Sequence, residues 1–134
     1  MKNVNEIYDF LKEVGTYYLA TIDNNGKPRV RPFGTVDIYN GKITIQTGLK
    51  KDVAKQMIAN HNIEICAFKE GKWIRVNAVV TLDDSVEASD HMLNNYPYLR
   101  NMYTPGDGNC CVFVLEKGSA TFASFGAEAK VIEF

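Results

Sequence analysis

Apolar residues near the start of the chain recur at the spacing of one helix face. The positions lie three or four residues apart: Val4, Ile7, Tyr8, Leu11 and Val14. This spacing predicts an amphipathic helix over residues 3–14. Gly15 follows the last apolar position and predicts the end of that helix, because glycine is the residue that most readily terminates helices.

Beyond Gly15 the apolar period changes to two, and turn residues separate the alternating segments. The segments predicted as strands are 16–23, 29–38, 42–48, 63–70, 73–82, 110–118 and 119–125. Asn40-Gly41 is a strong hairpin signal between two of them. Residues 51–60 and 85–95 have helical patterns, and Asp83 or Asp84 is expected to cap the second helix.

These segments predict a mainly β protein with flanking helices. Six or seven short strands follow one another through hairpins, with helices at the start, after the third strand and after the fifth. Sequential hairpins favour an antiparallel barrel over a doubly wound parallel sheet. A length of 134 residues fits one domain, so residues 1–134 are interpreted as a single unit.

Composition excludes several classes of protein. Hydrophobic residues make up 46% and charged residues 23%, which is a globular balance and not that of a disordered chain. The net charge of -1 argues against a surface that binds nucleic acid or acidic membrane over its whole extent. Neither a signal peptide pattern nor an apolar run of about 20 residues is found, so a cytoplasmic location is expected.

Cysteine and histidine residues form no recognisable catalytic or metal-binding pattern. Cys66, Cys110 and Cys111 lack the spacing of a metal site or a disulfide framework, and are expected to be buried thiols. His61 and His91 have no nucleophile or carboxylate at a known catalytic spacing, so structural roles are expected. The sequence therefore predicts neither a hydrolase nor a metal site.

The basic residues are unevenly distributed along the chain. Residues 26–55 contain seven basic residues and two acids, a local charge of +5. Arg29 and Arg31 are two apart on a predicted strand and share one face, and Lys50-Lys51 opens a predicted helix. A helix N-terminus with lysines and a facing arginine predicts a phosphate site without a P-loop. The alternative is that these are ordinary solvated side chains, which is favoured for Lys27, Lys42 and Lys55.

Most of the chain resembles a known family. Residues 19–36, 43–68, 73–80 and 112–134 are similar to the pyridoxamine 5′-phosphate oxidase-like family of FMN-binding split-barrel proteins. The resemblance implies a six-stranded antiparallel split barrel and a homodimer, with FMN bound at the dimer interface. It also implies a small bacterial member that acts on a small-molecule substrate or electron donor.

The resemblance also implies which residues hold the phosphate of FMN. In such proteins an arginine of the second strand and the lysine opening the helix after the third strand bind it. The matching residues in this sequence are Arg31 or Arg29, and Lys51 with Lys50 adjacent to it.

Other positions are implied to line the rest of the cofactor. The end of the third strand would meet the ribityl chain and ring with Gln46, Thr47 and Gly48. The polar edge of the isoalloxazine would face the backbone of Arg31, Pro32 and Phe33. Among the aromatic residues, Phe125 or Trp73 is the candidate for stacking on the ring, and the loop 96–109 is a candidate lid.

The function that follows is an FMN-binding flavoprotein, an oxidoreductase whose substrate the sequence does not identify. The pyridoxamine phosphate reaction itself is not expected, because the last 20 residues lack the Arg and His of that oxidase's substrate site. Some small relatives bind a deazaflavin or haem in place of FMN, so these two cofactors are further alternatives. The alternatives are a non-catalytic flavin-binding electron carrier and, more distantly, a β-barrel that binds single-stranded nucleic acid through the basic segment.

Overall fold

Three α-helices and one 3₁₀ helix are present in the computed structural model, which describes residues 4–134. The α-helices are α1 (Asn5–Val14), α2 (Asp52–Ala59) and α3 (Val86–Asn95), and the 3₁₀ helix spans Pro97–Asn101. All three predicted helices are confirmed. The predicted start of the first helix, Asn3, lies outside the described residues.

Eight strands form one antiparallel sheet within the described range. They are β1 (Tyr17–Ile22), β2 (Pro28–Phe33), β3 (Asp37–Tyr39), β4 (Lys42–Gly48), β5 (Asn62–Lys69), β6 (Lys72–Asp83), β7 (Cys110–Ser124) and β8 (Lys130–Glu133). The order is β2-β1-β5-β6-β7-β4-β3, and β8 pairs with β7. The mainly β antiparallel class with flanking helices is confirmed, although the strands number eight and not six.

The connection between β2 and β3 explains why the sheet is curled. These two strands lie at opposite ends of the strand order, yet only residues 34–36 separate them in the chain. Four Cα–Cα steps join Phe33 to Asp37 and span about 14 Å at most, so the two ends of the sheet must come close together. The sheet therefore wraps into a barrel. Residues 34–36 join β2 to β3 at one end of the barrel, but these two strands are not hydrogen-bonded to each other, so the barrel is split between them.

The single strand predicted over residues 29–38 is wrong, because residues 34–36 interrupt it. The hydroxyl of Tyr17 donates a hydrogen bond to the carbonyl oxygen of Thr35 at 2.6 Å. The Thr35 hydroxyl accepts one from the backbone N–H of Gln46 at 3.0 Å. These contacts direct residues 34–36 across the end of the barrel, where they cannot continue the strand pairing of β2 with β1.

The two last predicted strands, 110–118 and 119–125, are one continuous strand. Gly118 suggests a turn in the sequence, but it lies inside β7 opposite β6. A Cβ atom there would lie 1.9 Å from the carbonyl oxygen of Asn77, so glycine permits close approach of two backbones and not a turn. Gly118 also exchanges two backbone hydrogen bonds with Phe134 at 3.0 Å, beside β8, a strand that the sequence pattern did not predict.

Two clusters of buried side chains hold the described chain together. The larger fills the barrel and includes Ile7 and Leu11 from α1, as the helical periodicity predicts. The smaller packs α3 and the 3₁₀ helix against β7 through Met92, Leu93 and Leu99. Because burial of each such side chain contributes about 1.5–3 kcal/mol, both helical layers are fixed to the sheet.

The start of α3 corrects a predicted cap. The side chain at the N-cap is Ser85, whose hydroxyl accepts a hydrogen bond from the backbone N–H of Ala88 at 3.2 Å. Asp83 instead accepts from the backbone N–H of Ser85 at 3.0 Å. Asp83 therefore orients the cap, and Ser85, two residues later, makes it.

The three cysteines differ in environment. Cys110 and Cys111 are buried, and burial raises the pKa of Cys111 to about 12. Cys66 is exposed, so its predicted burial is wrong. It alternates with Ile65 and Ala67 on β5, both of which face the core, and its side chain therefore points outward.

None of the helices in residues 4–134 is both long and apolar enough to cross a membrane.

Candidate functional site

A cavity of about 270 Å³ lies where β2, β4, the start of α2 and the 3₁₀ helix meet. We call it the β2–α2 cavity. Six of the residues expected to form a binding site line it: Arg31, Pro32, Phe33, Gln46, Thr47 and Lys51. Residues separated by up to 20 positions in sequence are thus brought to one place, because β2 and β4 reach the same end of the barrel.

The guanidinium of Arg31 is held by neutral groups. Its Nη1 donates to the hydroxyl of Thr21 at 2.6 Å and its Nη2 to Oε1 of Gln56 at 2.8 Å. The Thr21 hydroxyl donates to the same Gln56 oxygen at 2.5 Å. Partial burial is the main cause that lowers the pKa of Arg31 from its ordinary value. The result is an oriented cation whose charge no hydrogen-bond partner neutralises.

Salt bridges separate the basic residues of the segment 26–55 into two groups. Arg29 pairs with Asp23 at 2.9 Å, and Lys42 pairs with Glu116 at 2.7 Å. Within the described part of the chain, five others form no salt bridge: Lys27, Arg31, Lys50, Lys51 and Lys55. Two of these five, Arg31 and Lys51, line the cavity, so two cations without a salt bridge are present there. The acid that acts on Arg31 is Asp52 in the first turn of α2, through its charge and not through a salt bridge.

The N-terminus of α2 adds to that charge. Lys51 occupies the N-cap position with an extended backbone and no side-chain cap, so the first backbone N–H groups of the helix are not satisfied by a capping side chain. The preceding turn is held in place by Asn109, which accepts hydrogen bonds from the backbone N–H groups of Leu49 at 2.7 Å and Lys50 at 3.0 Å. A fixed helix start of this kind favours an anion.

Polar groups of β4 form another wall of the cavity. Gln46 is buried, and its amide donates to the carbonyl oxygen of Thr47 at 3.2 Å. The Thr47 hydroxyl has no hydrogen-bond partner among residues 4–134 and is available to a ligand. Gly48 follows, and a Cβ atom there would lie 3.0 Å from Asn109 and 3.2 Å from Tyr103, so the turn needs a residue this small.

The segment expected to be a lid is a packed wall on one side and exposed on the other. Leu99 and Tyr103 line the cavity and are buried. Tyr98 and Met102 also line it, but their side chains are 61% and 66% exposed. The following turn is tied by Asp107, whose pKa is lowered by backbone N–H groups that donate to its carboxylate. The segment can therefore form one wall of a ligand site without first having to fold.

Four of the expected site residues lie outside the lining of the cavity. Arg29 is bound to Asp23, while Gly48 and Lys50 shape the turn before α2. Phe125 is 82% exposed and packs against Trp73, with ring centroids 5.1 Å apart. In a single chain, neither aromatic ring contributes to the cavity.

Two residues of the site were missed by sequence reasoning. Thr21 resembles any other strand residue, and Gln56 resembles a polar residue on a helix surface. Neither belongs to a motif, and their contact with Arg31 depends on how α2 packs on β1. The available signal was that Gln56 lies five residues after Lys51, on the helix that Lys51 precedes.

His91 forms a second polar cluster away from the cavity. Its Nδ1 lies 2.6 Å from Oδ2 of Asp37, and Asn95 donates to Oδ1 of the same carboxylate at 2.7 Å. Asp37 also accepts from the backbone N–H of Ile38 at 2.9 Å. This network joins α3 to β3.

Comparison with known proteins identifies relatives in sequence and structure. Residues 4–116 match the family model described as pyridoxamine 5′-phosphate oxidase. A NimC/NimA family protein from Clostridium acetobutylicum is similar over the whole chain, with 38% identity and a TM-score of 0.93. The match covers 100% of this chain and 95% of that one. No curated protein sequence matches significantly.

More distant solved structures share the fold. General stress protein 26 from Bacillus anthracis has a TM-score of 0.72 at 14% identity, with 95% of this chain and 97% of that chain covered. A pyridoxamine 5′-phosphate oxidase-related, FMN binding protein from Nostoc punctiforme has a TM-score of 0.61 at 14% identity. That match covers 100% of this chain and 97% of the other.

Proposed function

The chain belongs to the pyridoxamine 5′-phosphate oxidase family, and from this membership we propose that it is a flavoprotein that binds FMN in the β2–α2 cavity. The observation that carries the proposal is the partly buried Arg31, which forms no salt bridge in the described chain and lines the cavity together with Lys51. A phosphate monoester supplies the missing negative charge. The Nostoc protein of the same fold is described as FMN binding, which supports the choice of ligand.

The donors of the cavity suit the phosphate of FMN. Arg31 and Lys51 would bind its oxygens together with backbone N–H groups at the start of α2, and Lys50 lies one residue away. These are the groups that proteins use for phosphate: a planar cation, a point charge and a helix N-terminus. Since Arg29 is already bound to Asp23, we assign the arginine role to Arg31.

The remaining residues suit the ribityl chain and ring. The Thr47 hydroxyl and the Gln46–Gly48 backbone would face the ribityl hydroxyls. On the other wall β2 is a terminal strand of the sheet, so backbone groups of Arg31, Pro32 and Phe33 on its free edge would meet the polar edge of the ring. Leu99 and Tyr103 offer apolar surface to the ring and exclude water from it.

The bound flavin would supply hydride or electron transfer, and we propose an oxidoreductase acting on a small molecule. The protein's part is to bind and orient the cofactor and to hold its ring in a partly dry site. We do not propose the pyridoxamine phosphate reaction, because the last 20 residues contain neither Arg nor His.

A homodimer with the cofactor at its interface is part of the proposal. At about 270 Å³, the cavity is smaller than the roughly 300–1,000 Å³ of typical ligand sites, so one chain would enclose only part of FMN. The outer surface of β2, β1 and β5 is apolar and exposed at Tyr18, Val30 and Phe68. This surface, which we call the outer apolar face, adjoins the cavity because Pro32 lies opposite Tyr18.

A second copy covering the outer apolar face would complete the cavity and bring its own Phe125 and Trp73 near the interface. Exposed apolar patches on soluble proteins commonly mark such contacts.

The three cysteines form no disulfide bond, which fits a protein that acts in the reducing cytoplasm.

The second candidate function is a non-catalytic flavin carrier. The observation that favours it is the chemistry of the cavity, because the described residues lining it include no His, Cys, Asp or Glu. The titratable side chains that remain in the lining are Lys51, which is assigned to the phosphate, and Tyr98 and Tyr103. Such a site binds a flavin but has few groups for acid–base catalysis on a substrate. Turnover with NADH or NADPH and a panel of acceptors separates the two functions, since a carrier would bind FMN without steady-state turnover.

The direct experiment is the visible spectrum of purified protein after incubation with FMN and gel filtration. We expect a yellow protein with flavin bands and about one FMN per chain. A colourless protein that retains no FMN would contradict the proposed function. Haem absorption bands in place of flavin bands would show that the cofactor is haem and not FMN.

A further inference from the structure

We propose that Gln56 is a positioning residue through which the β2–α2 cavity selects the phosphorylated flavin over riboflavin. The inference rests on the proposed FMN function and deepens it. Gln56 does not line the cavity, so its effect on a ligand passes through Arg31. Its role is to hold the guanidinium where the phosphate binds.

The hydrogen bonds among the three side chains define one arrangement. The single proton of the Thr21 hydroxyl goes to Oε1 of Gln56, and the hydroxyl oxygen accepts from Nη1 of Arg31. The same Gln56 oxygen accepts from Nη2 of Arg31. Each of the two acceptors therefore fixes one nitrogen of the guanidinium, and together they set both its position and the direction of its plane.

Burial makes this arrangement stable against water. Thr21 is 1% exposed, and Arg31 and Gln56 are partly buried. The Thr21 hydroxyl is the part of the arrangement that water does not reach, so removal of the Gln56 oxygen leaves a buried hydroxyl without its acceptor. Without Gln56, both Nη2 of Arg31 and the Thr21 hydroxyl lose a partner, so the guanidinium would turn toward other acceptors.

The amide is also the appropriate chemical group, because it is neutral. A glutamate at position 56 would orient Arg31 equally well, but it would form a salt bridge and cancel the charge that attracts phosphate. An amide oxygen accepts the same hydrogen bonds and leaves the positive charge free. Gln56 therefore meets two requirements of a phosphate site: it fixes the cation, and it does so without forming a salt bridge.

The test compares the dissociation constants of FMN and riboflavin by fluorescence titration for the wild type, Gln56→Met and Gln56→Glu. Ile58→Ala is the matched control, because Ile58 is on α2 and 45% exposed. We expect Gln56→Met to weaken FMN binding about fivefold to tenfold while riboflavin binding stays within twofold. Gln56→Glu should weaken FMN binding further, and Ile58→Ala should change neither constant.

A combined variant tests whether Gln56 acts through Arg31. In the Arg31→Ala background, Gln56→Met should change FMN binding by less than twofold, because there is no guanidinium left to position. A purely structural role would weaken FMN and riboflavin equally, and that result, or unchanged FMN binding in Gln56→Met, would overturn the inference while the FMN function stands. A wild-type protein that binds neither flavin would overturn the function and, with it, the inference. Matching circular dichroism spectra of the variants confirm that each is folded.

Discussion

Arg29 and Arg31 lie two residues apart on the same face of β2, but only Arg29 is paired with an acid. The Nε of Arg29 is 2.9 Å from Oδ2 of Asp23, whereas the hydrogen bonds of Arg31 go to neutral oxygens. The strand thus carries one arginine that stabilises the β1–β2 turn and one that is oriented without forming a salt bridge.

This difference predicts unequal effects of two similar substitutions. We expect Arg31→Ala to weaken FMN binding about 10- to 100-fold, because a charge-assisted hydrogen bond to phosphate contributes about 1.5–3 kcal/mol. Arg29→Ala removes the same charge from the same strand and should weaken binding less than threefold. Fluorescence titration measures both constants, and equal losses in the two variants would contradict the assignment of Arg31.

The outer apolar face predicts a dimer that a charge can break. Phe68 is 61% exposed on this face, and we expect Phe68→Glu to convert the protein to a monomer at micromolar concentration, because it places a charge in an apolar contact. Ile58→Glu changes an exposed apolar residue on α2 and should leave the dimer intact. Sedimentation equilibrium gives the masses. A monomeric wild type would refute the interface, whatever the variants do.

Close packing of β6 on β7 predicts that Gly118 cannot be replaced. We expect Gly118→Ala to destabilise the protein by about 3 kcal/mol or more, because its Cβ would overlap the backbone at Asn77. Gly34→Ala is the control, since a Cβ there meets only the carbonyl oxygen of Gly15, at 3.6 Å. Urea unfolding compares the two, and equal midpoints would show that β6 and β7 are not packed this closely.

The same glycine marks where sequence reasoning ends. Period-two alternation identified β1, β5 and β6 because each of these strands has one buried face. β4 is buried on both faces, and the Asn40-Gly41 hairpin signal before it marked its start. It could not distinguish a glycine that turns the chain from one that lets two strands approach, since the difference lies in residues 40 positions away. The break at residues 34–36 was missed for a similar reason, because its cause is hydrogen bonding by Tyr17 and Gln46.

The network around Asp37 predicts a structural role for His91. Asp37 is 2% exposed and receives its hydrogen bonds from His91, Asn95 and Ile38. We expect His91→Ala to lower the free energy of unfolding by about 1–3 kcal/mol, because a buried carboxylate loses a partner. His61 is exposed, and His61→Ala should change stability by less than about 0.5 kcal/mol. Urea unfolding of both variants tests this, and equal stabilities would contradict a structural role for His91.

For the site, the sequence pointed to charged residues but not to the side chains that orient them. Arg31 and Lys51 stood out because they lie on a predicted strand and at a helix start within residues 26–55, whose local charge is +5 in a chain of net charge -1. Their common location in one cavity follows from the barrel closure, which a pattern of apolar residues does not specify. The roles of Thr21 and Gln56 depend on side-chain geometry to within an ångström, and no composition or spacing encodes this.

The central claim is that the phosphate of FMN binds at Arg31 and Lys51, and ³¹P NMR of FMN mixed with the protein tests it most directly. A free phosphate monoester titrates with a second pKa near 6. Because two cations favour the dianion, we predict that the bound resonance is shifted and stays that of the dianion down to about pH 5, and that this behaviour is lost in Arg31→Ala. A resonance that titrates in the presence of the wild-type protein as it does in free FMN would contradict the claim.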